Sequence, residues 1–132
     1  MILVDTSVWI DVFRDGSQGK RKALLAAVAG EEVVLTRFSQ LELLQGCRNE
    51  QEWNLSYLDS QDYVEASTTT WEDAARIYFD LRRDGFTVRS PIDCCIAQLA
   101  LTNDLMLFHR DRDFKVIEKA RPALRHLWLK WP

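Results

Sequence analysis

The sequence predicts an α/β domain in which helices cover both faces of a parallel sheet of about five short strands. Short apolar runs, such as Ile2-Leu3-Val4 and Val33-Val34-Leu35, alternate with longer stretches of helical periodicity. Strands that alternate with helices along a chain pair in parallel, because each crossover packs a helix on the sheet. The 132 residues suit a single domain over residues 1–132, and no linker or repeat divides them.

The first predicted strand ends at a carboxylate. Ile2-Leu3-Val4 is typical of a strand buried on both faces, and Asp5 follows it directly. A helix is predicted from Ser7 to Arg14, and either Thr6 or Ser7 can cap it. Asp5 would then lie at the carboxyl end of a central strand, where open α/β sheets bind their ligands. Taken alone, Asp5 could equally be a plain N-cap.

Turn residues bound the next elements. A turn-rich stretch over residues 15–19 precedes a second helix over 20–29, which ends at Gly30. The strand over 33–35 follows, and Phe38, Leu41 and Leu44 then recur at helical spacing until Gly46 ends the third helix. A fourth helix is predicted over residues 50–58 and a short strand over 63–64.

The second half repeats the alternation. The helix that begins at Thr70 has acids in its first turn and Arg82-Arg83 in its last, which suits the helix dipole. Its predicted buried stripe consists of Trp71, Ala74, Ala75, Tyr78 and Leu81. Pro91 suits the first turn of a helix that runs to about Asn103. A strand over 105–108, a helix over 114–120 and a strand over 126–131 complete the pattern.

Four acids stand where apolar sequence meets a loop or a helix start: Asp5, Glu42, Asp93 and Asp111. Desolvated carboxylates that converge repel one another unless a cation compensates them. Oxygen ligands suit Mg²⁺ or Mn²⁺ better than Zn²⁺. Singly, each acid has an ordinary alternative. Glu42 could be an exposed helix residue, Asp93 could serve the helix dipole, and Asp111 and Asp113 could each cap the next helix.

The ordered set of segments resembles the PIN-domain ribonucleases, and among them the VapC-type toxins of bacterial toxin–antitoxin pairs. The matching segments cover residues 2–10, 39–46, 92–97 and 107–114. This resemblance implies a three-layer α/β/α domain that hydrolyses RNA phosphodiester bonds, in tRNA or rRNA, with Mg²⁺ or, as a substitute, Mn²⁺. It assigns Asp5, Glu42, Asp93 and Asp111 as the catalytic, metal-binding acids.

The resemblance extends to neighbouring residues. The hydroxyl that follows the first acid maps to Thr6 or Ser7, which could orient Asp5 or a metal-bound water. Asp113 is an alternative fourth ligand. His109 departs from a frequent family form, which has Thr or Ser at this position. We expect His109 at the rim of the site, where it is either satisfied locally or touches RNA.

Partner contacts are also predicted. Arg89, Arg110 and Arg112 lie nearest the acids in sequence and are candidates for contacts with RNA phosphates. The family resemblance implies a homodimer and a cognate antitoxin. Trp9 and Phe13, four residues apart on the first helix, are expected to contact that antitoxin.

Composition limits the alternatives. The net charge of −3 argues weakly against a simple nucleic-acid binder, although four metal-bound acids would leave 17 basic against 16 acidic residues. Three cysteines, two of them adjacent, form neither a disulfide framework nor a zinc pattern. A short apolar start without preceding basic residues favours a cytoplasmic protein without membrane contact.

The sequence does not match the signatures of haloacid-dehalogenase-type phosphatases, receiver domains or Walker-type nucleotide binders. The alternative that stays open is a catalytically silent module of this fold that binds RNA or protein.

Overall fold

The predicted sheet is present in the computed structural model, which describes residues 1–56 and 62–131. Its strands are β1 (Ile2–Val4), β2 (Val33–Thr36), β3 (Asp62–Val64), β4 (Met106–His109) and β5 (His126–Trp128). All pair in parallel, in the order β3-β2-β1-β4-β5. The predicted α/β class and parallel sheet are therefore confirmed.

The helices described are α1 (Thr6–Arg14), α2 (Gly19–Ala27), α3 (Arg37–Gln45), α4 (Glu50–Ser56), α5 (Thr70–Arg83), α6 (Pro91–Thr102) and α7 (Asp113–Ala120). The end of the predicted fourth helix, Tyr57 and Leu58, lies outside the described residues. Within those residues, no helix is long and apolar enough to cross a membrane.

Strand β1 is the centre of the sheet. Leu3 is in register with Val34 of β2 on one side and with Leu107 of β4 on the other. These three side chains belong to the hydrophobic core that also contains residues of α5, α6 and α7. The alternate residues of the strands, including Val4 and Phe108, pack with residues of α1 and α2 on the opposite face. Side chains that alternate between faces thus give three layers.

One local prediction, the buried stripe of α5, was wrong in part, since Ala74 and Leu81 are buried as predicted but Trp71 and Ala75 are not. The buried stripe of α5 consists of Thr70, Ala74, Ile77 and Leu81, whereas Trp71 and Ala75 are exposed. Spacings of four, three and four residues follow the helical repeat, and the stripe that we predicted left out Ile77. Ile77 is fully buried, a contribution of about 2 kcal/mol.

The structure also decides between the alternatives that the sequence left open for the cap of α1, namely Asp5, Thr6 and Ser7. The capping residue is Asp5, because its Oδ2 accepts a hydrogen bond from the backbone N–H of Ser7, and the helix begins at Thr6. Asp5 has extended backbone angles, as an N-cap residue requires.

Candidate active site

The carboxyl ends of β1, β2 and β4 bring the predicted acids to one edge of the sheet. Asp5 follows β1 and is only 4% exposed. Its Oδ2 lies 2.6 Å from the Oγ of Ser7 and 3.0 Å from the Ser7 backbone nitrogen. Ser7 Oγ also accepts the backbone N–H of Arg110 at 2.9 Å, which ties the loop after β4 to Asp5. Asp5 is therefore both a helix cap and a member of the acidic cluster.

Glu42 is held by a second hydroxyl group. Thr6 Oγ1 lies 2.9 Å from Glu42 Oε1 and 2.9 Å from Ser39 Oγ. Ser39 is buried in the first turn of α3, and its backbone N–H donates to the N-cap residue Thr36. Ser7 therefore orients Asp5, as one of the two alternatives proposed, whereas Thr6 contacts a different acid, Glu42. Glu42 is half-buried rather than a freely exposed helix residue.

Three further carboxylates meet beside β4. Asp93 lies in the first turn of α6, Asp111 lies in the loop after β4, and Asp113 begins α7. One oxygen from each of these three carboxylates lies within 4.8 Å of the other two. The backbone N–H of Asp113 donates to Asp111 Oδ1 at 2.9 Å. Asp111 and Asp113 thus both belong to the cluster, and the structure places each of them near Asp93.

Arg89 joins the two acids of the loop. Its Nη2 lies 2.7 Å from Asp111 Oδ1, and its Nε lies 3.1 Å from Asp113 Oδ2. The backbone N–H of Arg89 also donates to Asp113 Oδ2 at 3.0 Å. Asp113 is 3% exposed, so this arginine supplies the compensating charge that a buried carboxylate needs. From the sequence we predicted that Arg89 contacts RNA, and no sequence pattern indicated its ion pairs with Asp111 and Asp113.

The electrostatics of the cluster disfavour ionisation. Burial, together with the negative charges of Asp5, Asp111, Asp113 and Glu42, raises the pKa of Asp93 to about 8. Burial also raises the pKa of Asp5 to about 6, although its hydrogen bonds from Ser7 act against the rise. Carboxyl groups that hold protons near neutral pH are typical of functional sites that lack a counter-charge.

We expected His109 at the rim of the site, and this prediction was wrong. His109 is fully buried at the end of β4, where its ring lies 4.9 Å from that of Phe114 and 5.8 Å from that of Trp128, measured between centroids. Nδ1 accepts the backbone N–H of Asp111 at 3.1 Å, and Nε2 lies 2.9 Å from Nδ1 of His126. Burial lowers the pKa of His109 to about 4, so the ring is neutral. His109 is therefore satisfied locally, inside the core.

The other predicted arginines differ in their surroundings. Arg110 points away from the acids, since its Nε lies 2.8 Å from Asp11 Oδ2 and its Nη1 donates to the carbonyl of Leu129. The indole N–H of Trp131 donates to the same Asp11 oxygen at 2.9 Å. This cluster, which sequence reasoning missed, fastens the end of the described chain to α1. Arg112 is exposed.

The two aromatic residues of α1 are stacked and half-buried. The ring centroids of Trp9 and Phe13 lie 6.0 Å apart, with an angle of 27° between the planes. Trp9 packs against the core on the α1 side of the sheet. Phe13 lines a groove of about 760 Å³ that also includes Arg14, Leu43 and Arg48 and reaches Glu42.

The donor set fits a hard divalent cation. Among the described residues, every candidate ligand atom in the group of Asp93, Asp111 and Asp113 belongs to a carboxylate, and neither histidine nor cysteine joins it. Oxygen-only ligands suit Mg²⁺ and Mn²⁺. The raised pKa values of Asp5 and Asp93 show that ionisation of these carboxyl groups is disfavoured without a counter-charge, which a bound cation would supply.

A parallel sheet in the order described, with carboxylates gathered at the ends of its central strands, defines a class of proteins. The model of the PIN domain matches residues 2–120. Two curated relatives, a VapC ribonuclease of Mycobacterium bovis and the ribonuclease VapC11 of Mycobacterium tuberculosis, are each 32% identical over 131 residues. The match covers 90% of this chain and 92% of each relative. The chain therefore belongs to the PIN-domain family, within its group of VapC ribonucleases.

Solved structures share the fold. VapBC2 from Rickettsia felis, bound to a DNA fragment from its promoter, superposes with a TM-score of 0.76 at 16% identity, over 96% of this chain and 98% of that one. VapC20 from Mycobacterium tuberculosis, described as a toxin that cleaves the sarcin–ricin loop, gives a TM-score of 0.65 at 17% identity. That match covers 87% of this chain and 93% of VapC20. At these identities the likeness shows the architecture alone.

Proposed function

We propose that this chain is a metal-dependent endoribonuclease toxin, built as one PIN domain, that acts in the cytoplasm on tRNA or rRNA. The observation that carries the proposal is the convergence of Asp5, Glu42, Asp93 and Asp111 on one edge of the sheet, with Asp113 beside them. The ribonuclease names of the curated relatives support the same activity. A catalytically silent module would retain the fold without needing this many desolvated acids.

The residues of this chain have separate tasks in the proposed reaction. Asp5, Glu42, Asp93 and Asp111 would hold Mg²⁺, or Mn²⁺ as a substitute. Ser7 fixes the Asp5 carboxylate, and Thr6 fixes that of Glu42. Arg89 neutralises part of the charge on Asp111 and holds Asp113 in place. When bound, the divalent cation supplies an activated water and offsets charge on the phosphate under attack.

Purified protein should cut structured RNA when Mg²⁺ or Mn²⁺ is added and should lose this activity in excess chelator. Because an activated water attacks the phosphodiester, the products should not carry 2′,3′-cyclic phosphates. Sequencing of the RNA ends after brief induction in cells would identify the cleaved RNA. Equal cleavage in chelator, or cyclic phosphate ends, would contradict the metal-hydrolysis mechanism. RNA binding without cleavage under every metal condition would favour the silent module.

Arg89 and Arg112 are the better-placed candidates for contact with RNA phosphates. The side chain of Arg89 is 68% exposed while it remains bound to Asp111 and Asp113, and Arg112 is exposed next to Asp111. Arg110 was given the same role, and we keep it as a prediction, although its Nε and Nη1 atoms have internal partners. Phosphate contacts of this kind position RNA without reading its sequence.

We infer that a VapB-type antitoxin restrains the enzyme through the groove beside α1. The groove offers an apolar surface at Phe13 and Leu43, and it leads to Glu42 at the acidic cluster. An antitoxin segment could bury apolar side chains there and bring a basic group to the acids, in competition with the metal. Homodimerisation, implied by the family resemblance, stays a prediction.

Replacing both Trp9 and Phe13 by alanine should weaken antitoxin binding at least ~10-fold, about 1.4 kcal/mol, because both apolar contacts are removed. Calorimetry with the cognate antitoxin would measure the change. Phe13→Ala alone isolates the groove contact, since Trp9 also packs in the core. Leu25→Ala is a matched control, because Leu25 is 60% exposed on α2 and does not line the groove. Wild-type affinity in the double variant would place the antitoxin elsewhere.

A further inference from the structure

The two histidines of this protein, one buried and one half-buried, are hydrogen-bonded to each other in a chain that ends at the backbone of Asp111. His109 Nδ1 accepts the Asp111 N–H at 3.1 Å. His109 Nε2 lies 2.9 Å from Nδ1 of His126, the first residue of β5. Nε2 of His126 lies 3.5 Å from Oε1 of Glu118, which is half-exposed. The sequence contains no other histidine.

The partners fix the tautomer of each ring. Nδ1 of His109 faces an N–H donor, so it carries no hydrogen, and the ring hydrogen is on Nε2. That hydrogen is donated to Nδ1 of His126, whose own hydrogen is then on Nε2, toward Glu118. The donors run in one direction from His109 to Glu118, and the Asp111 amide is satisfied at the other end.

His109 is surrounded by apolar groups. Its ring is fully buried and packs beside Phe114 and Trp128. A phenyl ring could fill a similar space without the cost of burying two polar nitrogens. The contribution that only the imidazole makes here is an acceptor for the Asp111 N–H and a donor to His126.

Two consecutive amides of the loop are thereby anchored on different sides. The N–H of Arg110 donates to Ser7 Oγ, which also contacts Asp5, and the N–H of Asp111 donates to His109. These two hydrogen bonds fix the backbone at Asp111, and with it the position from which the Asp111 carboxylate projects. Supporting contacts of this kind hold a site to within about 0.5 Å of its working geometry.

We propose that His109 and His126 are positioning residues of the active site, which fix the Asp111 carboxylate toward Asp93 and Asp5. This inference rests on the proposed metal-dependent activity. It concerns the β4–α7 loop and involves no contact of either histidine with RNA or metal.

Calorimetric titration of the purified chain with Mn²⁺ tests this role without reference to RNA cleavage. His109→Phe should weaken Mn²⁺ binding ~10-fold, about 1.4 kcal/mol. His109→Asn should restore most of the affinity, because the Asn Oδ1 can take the place of Nδ1 as acceptor. His126→Phe should have a smaller effect in the same direction. Leu105→Val, a buried substitution just before β4, controls for loss of stability alone and should leave the affinity unchanged.

A double-mutant cycle separates positioning from a general structural role. If His109 acts through Asp111, then His109→Phe should cost nothing further in a protein that already carries Asp111→Asn. An equal ~10-fold loss in both backgrounds would overturn the proposal, as would wild-type affinity in His109→Phe.

Amide hydrogen exchange in chelator gives a second measurement that requires no metal. The Asp111 amide should exchange at least ~10-fold faster in His109→Phe, whereas the Arg110 amide, held by Ser7, should change little. Unchanged exchange at Asp111 would overturn the positioning role. Failure of the wild type to bind Mn²⁺ would instead overturn the proposed function, and the two failures are therefore distinguishable.

Discussion

Asp93→Asn is expected to slow RNA cleavage at least ~10³-fold, which corresponds to about 4 kcal/mol of transition-state stabilisation. Asp93 interacts electrostatically with all four other acids of the cluster, and asparagine keeps its size while it removes the ionisable ligand. Single-turnover cleavage with saturating Mn²⁺ and RNA measures the chemical step. Induced expression of the wild type should stop growth, whereas the variant should be tolerated.

The control for this experiment is Asp73→Asn. Asp73 is an exposed acid in the first turn of α5 and does not belong to the cluster, so this variant should cleave at the wild-type rate. A cleavage rate of Asp93→Asn within ~10-fold of the wild-type rate would exclude an essential role of Asp93 in catalysis. Asp93 would then only interact favourably with the dipole of α6.

The second large effect concerns stability without metal. The pKa of Asp93 is raised from 3.8 in the unfolded chain to about 8 in the folded protein. Between these values the folded state binds more protons than the unfolded state, so the free energy of unfolding falls as pH rises. The contribution of Asp93 to the free energy of unfolding is fully present below pH ~4. It is lost as the pH rises, and the loss levels off above pH ~8. Asp5 contributes in the same direction between 3.8 and about 6.

Urea titrations in chelator at several pH values measure this dependence. From pH 5 to pH 8 the wild type should lose on the order of 3 kcal/mol relative to Asp93→Asn, which lacks the titrating group. At neutral pH the variant should therefore melt higher than the wild type. Added Mg²⁺ or Mn²⁺ should reverse the order by binding the folded wild type. A variant that melts lower than the wild type in chelator would identify Asp93 as a structural cap.

The sequence predicted which acids follow a strand and so lie at the carboxyl edge of the sheet, because this depends only on the direction of the chain. Asp5 follows a strand whose apolar run is unambiguous, and parallel pairing brings it to the edge where the loop after β4 also ends. The sequence could therefore indicate that acids near the ends of these strands lie at the same edge of the sheet. A residue at such a boundary can serve two purposes: Asp5, which we treated as either cap or ligand, caps α1 and also lies near the other acids of the cluster.

The parts that could not be predicted depend on which side chains meet across the fold. His109 was expected at the rim, but it is buried, and its partner His126 is on the neighbouring strand β5, 17 residues further on. The ion pairs of Arg89 join residues more than 20 positions apart. Periodicity carries no information about such pairs, because it reports the face of an element and not its neighbour.

The central position of β1 has a consequence for the time at which the enzyme gains activity during synthesis. Strand β1 pairs with β2 on one side, but its other edge has no partner until β4 is made, and β4 precedes Asp111. Asp5 and Glu42 thus emerge from the ribosome long before the acids that complete the cluster. Nascent chains that end before Asp93 carry two of its five carboxylates. The order of strands in the sheet thereby keeps the acidic cluster incomplete until β4 and the loop after it have been made.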